Sequence, residues 1–146
     1  MSKFDKYMAI PFKDKGRSFD GADCFGLCAL VSLHEAHIAI ADPGVSLQTG
    51  KRATIEAFAA ELAIGHWFKL EMPQTFDWVV MSGFTIDGGK AVRHAELHCG
   101  IMIDEKMMLH TEAHCGPRIV AIDDSEITHR IRYFCRPAAL MDSAAA

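Results

Sequence analysis

Two short stretches concentrate the reactive side chains of this chain. RHAELHCG at 93–100 is followed sixteen residues later by LHTEAHCG at 109–116, and both carry the pattern H-x-E-x-H-C-G. Imidazole, carboxylate and thiol groups so close in sequence suit three roles. They can grip a metal ion, since His nitrogen and Cys sulfur are zinc-type donors. They can act as base and orienting partner for a nucleophile elsewhere in the chain. They can also be ordinary sheet residues whose polar groups are satisfied by neighbours. For the second role the nucleophile is Cys24, in GADCFGL. A thiol in the first turn of a helix faces unpaired backbone N–H groups and the positive end of the helix dipole, which favour the thiolate. The same N–H groups can hold an oxyanion. Asp23 stands where the helix N-cap is expected, and Gly26 leaves room for close approach of a strand or substrate.

The elements that must position these groups can be read from pattern. CFGLCALVSLHEAHIAI, after Asp23, has helical spacing with Leu27, Leu30, Val31 and Leu33 on the buried side, and Asp42-Pro43-Gly44 ends it. A second amphipathic helix is predicted over residues 51–63, with Ile55, Phe58, Ala59 and Leu62 on one face. From Gly65 the texture becomes strand-like: FDWVVM at 76–81, a glycine turn in FTIDGGKAV, and LHCGIMI and MMLHTE flanking Asp104-Glu105-Lys106 as a hairpin. PRIVAI and HRIRYFCR complete the strands. With a three-residue loop at 104–106, Ile103 faces Met107. Cys99, Ile101, Ile103, Met107 and Leu109 then share an apolar, core-directed face, while His98, Gly100, Met102, Met108, His110 and Glu112 share the other. His98 and His110 become neighbours across Gly100. Cys99 points away from His98, so one metal ion held by both is disfavoured, and the H-x-E-x-H-C-G repeat is largely coincidental. The order of helices followed by an antiparallel sheet is α+β.

Composition excludes several classes of protein. A chain of 146 residues with half of them hydrophobic and a net charge of −4 fits one globular domain, taken as residues 1–140 with 141–146 as a frayed tail. No basic run or groove points to nucleic acid, no apolar run is long enough to span a bilayer, and the N-terminal segment lacks the features of an export signal. Five cysteines, an odd count, argue against a disulfide framework, and no C-x-x-C pair supports a structural zinc site.

GADCFGL resembles the D-C-x-G-L motif of the NlpC family of bacterial cell-wall cysteine endopeptidases, and HCGIMI resembles that family's His-x-Gly strand. His110 in MMLHTE matches the third polar residue on the next strand, and FDWVVM is similar to the Gly-Asp-hydrophobic-Val strand. The entry YMAIPFKDKGRSFDGADC and the closing RYFCRP resemble the branch found in tail-tip proteins of phages and gene-transfer particles. The likeness spans about residues 7–137. It implies a papain-like NlpC-type fold, N-terminal helices packed on a C-terminal antiparallel sheet, with no cofactor and no metal. It implies a catalytic set of Cys24, His98 and His110, with Phe12, Asp23 and Phe25 on the substrate and oxyanion side. The substrate implied is a peptidoglycan stem peptide cut between D-glutamate and diaminopimelate. Other tail proteins are the implied partners, and the chain would be made in the cytoplasm and carried on the virion to the cell wall. The departures are Phe12 where the family often has tyrosine, Phe76 where the strand motif has glycine, and Phe25 where serine or tryptophan is usual; the last two are expected to reshape the pocket edge.

Other residues receive plainer roles. Cys28 and the methionines Met102, Met107 and Met108 are packing residues. His34, His37, His66, His94 and His129 are surface or structural, and His114 and Glu112 are weaker substitutes for His110. Asp77 ends a strand or caps a turn. Two other functions compete with the peptidase: a structural tail-tip component keeping the fold without efficient catalysis, for which Phe12 speaks, and a zinc protein using His94, His98, His110 or His114 with a cysteine.

Overall fold

The computed structural model describes residues 2–42 and 65–145, and for 84–87, 94–97 and 142–145 the backbone alone. The second helix expected over 51–63 lies outside the described residues. After a single turn of 3-10 helix at Asp5–Tyr7 come two-residue strands β1 (Arg17–Ser18) and β2 (Gly21–Ala22) and helix α1 (Cys24–Ala36). Strands β3 (Trp67–Leu70), β4 (Trp78–Asp87), β5 (Lys90–Met102), β6 (Met107–Glu112) and β7 (Gly116–Ala121) follow, then the one-turn helix α2 (Ser125–Thr128), strand β8 (Ile131–Pro137) and helix α3 (Ala138–Ala145). The architecture is α+β. One six-stranded sheet, in the order β3-β8-β4-β5-β6-β7, is antiparallel at every pairing. The closing MDSAAA, expected as a frayed tail, continues α3 to Ala145.

Helix α1 begins as the sequence implies. Asp23 is extended, at φ −85° and ψ −173°, and its carboxylate accepts from the Gly26 N–H at 2.8 Å. The helix ends five residues earlier than the Asp42-Pro43-Gly44 signal suggests. His37 takes a left-handed conformation at φ 59°, and the Ile38 N–H closes on the Ser32 carbonyl at 3.0 Å while the Ile38 side chain turns into the core. Leu33, expected on the buried side, is exposed. The buried stripe runs through Cys24, Leu27, Cys28 and Val31, and Leu33 lies about 200° round the helix from Val31 at 3.6 residues per turn.

Gly26 is required by a close crossing. A Cβ there would collide with the Gly16 carbonyl, just ahead of β1. Gly26→Ala is therefore expected to lower stability by about 2 kcal/mol, in the range of overpacked cores, read as a lower urea midpoint with unchanged slope.

The hairpins follow turn chemistry. Gly88 and Gly89, at φ 58° and 81°, form the two-residue connection between β4 and β5. Between β5 and β6 the pairs are Ile101 with Leu109 and Met102 with Met108, and the Ile103 N–H reaches the Met107 carbonyl at 3.0 Å. This is the three-residue loop parity read from sequence. The Asp104 carboxylate closes it by accepting from the N–H groups of Lys106 and Met107 at 2.7 and 2.8 Å.

The two sheet faces are both buried. Trp78, Val80, Cys99, Ile101 and Leu109 share a cluster with Leu27, Cys28 and Val31 of α1. Val79, Met81, Met102 and Met108 form a second cluster with Ile127 of α2. Long β4 is one strand with a bulge: its register to β5 shifts between Met81 and Gly83. At the bulge, the Ser82 N–H bonds to the Arg130 carbonyl at 2.8 Å, and the Ser82 carbonyl accepts from Arg130 Nε and Nη2 at 3.2 and 3.1 Å. Among the described residues no helix is long and apolar enough to cross a membrane.

Candidate active site

His98 on β5 and His110 on β6 lie just past the last paired residues of the hairpin, where Gly100 separates them. A Cβ on Gly100 would press on the Met108 sulfur at 3.0 Å and on His110 Cβ at 3.3 Å. Its absence lets the rings meet edge to face, 5.1 Å between centroids, with His98 Nε2 and His110 Nδ1 2.8 Å apart. Both rings are buried.

Burial pushes the His110 imidazole down to about 4, against an opposing pull from Glu112. His110 is thus neutral near pH 7 and can accept a proton-bearing nitrogen at Nδ1. Its own N–H then sits on Nε2, a buried atom with no hydrogen-bond partner among the described residues. An unsatisfied group of this kind costs about 1–3 kcal/mol.

Glu112 adds negative charge beside the pair. Its Oε1 is 3.8 Å from His110 Nδ1. Arg130 holds both carboxylate oxygens, Nη1 to Oε1 at 3.0 Å and Nη2 to Oε2 at 2.9 Å. Burial alone would raise this carboxyl group, but the hydrogen bonds and charge of Arg130 outweigh it and bring Glu112 down to about 2. Sequence spacing named Glu112 only as a substitute for His110. Its clamp by Arg130, eighteen residues away and anchored on the Ser82 bulge, carries no local sequence signal.

Cys24 opens α1 and interacts with both His98 and Cys99. Sequence alternation turned Cys99 into the core, away from His98. It is in the core, but the core face it joins is the one that receives Cys24. Cys99 also meets Cys28, one turn along α1. The expected thiolate is corrected here. Burial pushes the Cys24 thiol well above its ordinary range, the Cys99 thiol adds to this, and His98 pulls the other way. The desolvation of the buried Cys24, a residue only 4 % exposed, outweighs the helix terminus. All five cysteines are free, Cys115 alone among them exposed.

The residues expected on the substrate side are placed differently. Asp23 is fully buried, and its carboxylate is occupied by the Gly26 N–H, by the Lys15 N–H at 3.2 Å and by Arg17 Nη1 at 2.7 Å. It organises the helix start and has no face free for a ligand. Phe25 was expected at a pocket edge. It is instead a core side chain, edge-on to Trp78 at 5.3 Å and covered by the Arg17 guanidinium at 5.1 Å, because the second position of α1 faces the sheet cluster. Phe12 is half-buried and pairs in parallel with Ala22, two residues before Cys24.

Asp77 has the structural role expected of it. It accepts from the Gln74 N–H at 2.7 Å and forms a two-pronged ion pair with Arg136 at 2.7 and 2.9 Å. Phe76, just before it, has φ 73°. His114 is exposed in the turn after β6 and is not in the His98–His110–Glu112 donor group, and the His94 side chain lies outside the described residues. Neither protein-family models nor curated proteins provide a match to this chain.

Proposed function

We propose that the chain is a cysteine endopeptidase of the papain-like NlpC type, hydrolysing an amide bond in peptidoglycan stem peptides as part of a phage or prophage tail. The observation that carries this reading is the 2.8 Å contact of His98 with His110, formed beside the thiol that opens α1. A nucleophile, a base and a residue that orients the base are the set that many acyl-transfer sites use.

The chemistry follows from which nitrogen is engaged. His110 occupies His98 Nε2, leaving Nδ1 to serve Cys24. The thiol is held protonated at rest, so proton transfer accompanies attack. As the Cys24 sulfur bonds to the substrate carbonyl carbon, its proton passes to His98, and Nε2–H of the resulting imidazolium donates to neutral His110. The carbonyl oxygen becomes an oxyanion at the first turn of α1. There Asp23 takes the Gly26 N–H and leaves those of Cys24 and Phe25 without intrahelical partners; one such donor is worth about 3–4 kcal/mol in other acyl-transfer sites. Collapse breaks the C–N bond and His98 protonates the leaving amine. Water, deprotonated by His98, then attacks the thioester, the C–S bond breaks and the proton returns to sulfur. The Glu112 carboxylate offsets the imidazolium charge that neutral His110 cannot.

A second feature supports the family reading. The NlpC strand motif has glycine where this chain has Phe76, and Phe76 adopts the left-handed backbone that glycine favours. The diaminopimelate substrate, delivery from the cytoplasm into a tail, and tail-protein partners rest on the resemblance alone.

The burial of Cys24 and its suppressed ionisation favour one alternative, a structural tail-tip protein with this fold and little activity. Digestion of purified muropeptides followed by mass spectrometry separates the two. New termini at the D-glutamyl–diaminopimelate bond support the peptidase. Intact peptides across a broad pH range would leave the structural reading in its place.

A further inference from the structure

The three side chains around His98 Nε2 also form a donor set. His98 Nε2 is 2.8 Å from His110 Nδ1, which is 3.8 Å from Glu112 Oε1. One donor atom from each of the three residues lies within 4.8 Å of the others. We propose that His98, His110 and Glu112 form an inhibitory site for a divalent transition metal of the zinc class, with two imidazole nitrogens, one carboxylate oxygen and a fourth position open.

Two imidazoles and a carboxylate are a donor set that zinc accepts, at about 2.0–2.2 Å from each atom. Tetrahedral geometry at those lengths separates donor atoms by about 3.4 Å. The histidine nitrogens must part by about half an ångström, and the carboxylate oxygen must close by a similar amount on His110 and by up to about 1.4 Å on His98, movements within the reach of a rotating Glu112 side chain. Arg130 does not exclude the ion. An ionised carboxylate has about four lone-pair sites, so Oε1 can turn to the metal while Oε2 keeps Arg130 Nη2 at 2.9 Å. The guanidinium then fixes the ligand as a supporting residue, while its charge keeps affinity below that of a closed structural site. The set also differs from the cysteine-containing zinc site that the sequence suggested: Cys24 and Cys99 are outside it.

Metal on His98 Nε2 removes the base. The ring's one remaining proton sits on Nδ1, where the Cys24 proton must go. This inhibitory consequence rests on the peptidase reading; metal binding does not.

The test uses zinc alone, titrated into the full chain against a chromophoric chelator. One equivalent is expected in wild type and, with unchanged affinity, in Cys24→Ala. His110→Ala should weaken binding by more than the roughly 10–100-fold that losing a supporting residue costs, and Glu112→Gln, which keeps side-chain size should His110→Ala misfold, by at least that range. Cobalt in place of zinc should give a tetrahedral spectrum without a thiolate charge-transfer band. Absence of uptake by wild type, loss of uptake in Cys24→Ala, or uptake untouched by both ligand substitutions overturns the site. Uptake by a protein that cleaves no peptide supports the site and counts against the peptidase alone.

Discussion

Cys24→Ala is expected to yield a folded protein that, under the peptidase proposal, no longer cleaves a diaminopimelate-containing stem peptide. In the proposed reaction the sulfur forms the acyl intermediate, and alanine leaves His98 with no nucleophile to deprotonate. Loss of the nucleophile in a hydrolase where the site acts as a unit lowers kcat by at least about 10⁴-fold. The fold should tolerate the change. Removing one buried sulfur is a small deletion among Leu27, Cys99 and Ile101, costing about 1 kcal/mol. It also takes a thiol from the Cys24–Cys99 contact without leaving a charge behind. Near-native denaturant midpoints together with intact substrate by mass spectrometry are the expected pair of results. Residual turnover within tenfold of wild type would mean that the bond is broken by another group, and the acyl-enzyme account would fall.

Asp77→Ala is expected to be the most damaging single change outside the histidine site. Asp77 is fully buried and neutralises Arg136, whose side chain is 13 % exposed. The pair joins the turn before β4 to β8, adjacent strands in the middle of the sheet. Removing one partner of a buried pair leaves a charge with nothing to offset it, a loss of about 3 kcal/mol. The Gln74 N–H loses its acceptor as well. Equilibrium urea unfolding should show a midpoint shift of that size. Asp77→Ala combined with Arg136→Met should recover part of it, since an apolar replacement of both partners is often near neutral. If the double variant is no more stable than the single one, the stranded charge is not the cause.

The sequence made the hairpin legible because two local signals agreed. Alternation over LHCGIMI and MMLHTE required the apolar residues on one face, and Asp104 supplied the turn. Together they set a register in which His98 and His110 meet across Gly100. The helix start was equally readable, since an N-cap acts on its own next turn. What was not readable depends on residues far apart in sequence. The Ser82 bulge, the Arg130 clamp on Glu112 and the meeting of Cys24 with Cys99 are set by strand neighbours, not by any window of sequence. Leu33 and Phe25 show the same limit in smaller form. Both are apolar residues on α1, and the sheet beneath decides that Phe25 is covered and Leu33 is not. The ionisation of Cys24 was misjudged for a related reason: the helix terminus is a local feature, whereas desolvation is a sum over everything packed around the sulfur.

Phe76 carries a cost that its neighbours must hold in check. A bulky L-residue at φ 73° sits in a conformation about 1–2 kcal/mol above its right-handed alternative. Its ring is held by packing against the α1-side core and by the Lys3 ammonium at 5.5 Å. Evolutionary freedom at this site is therefore sorted first by backbone handedness and only afterwards by greasiness. In a library of all substitutions at this position, ranked by resistance to proteolysis, glycine and asparagine should persist, while valine and isoleucine, closer to phenylalanine in hydrophobicity, should be eliminated.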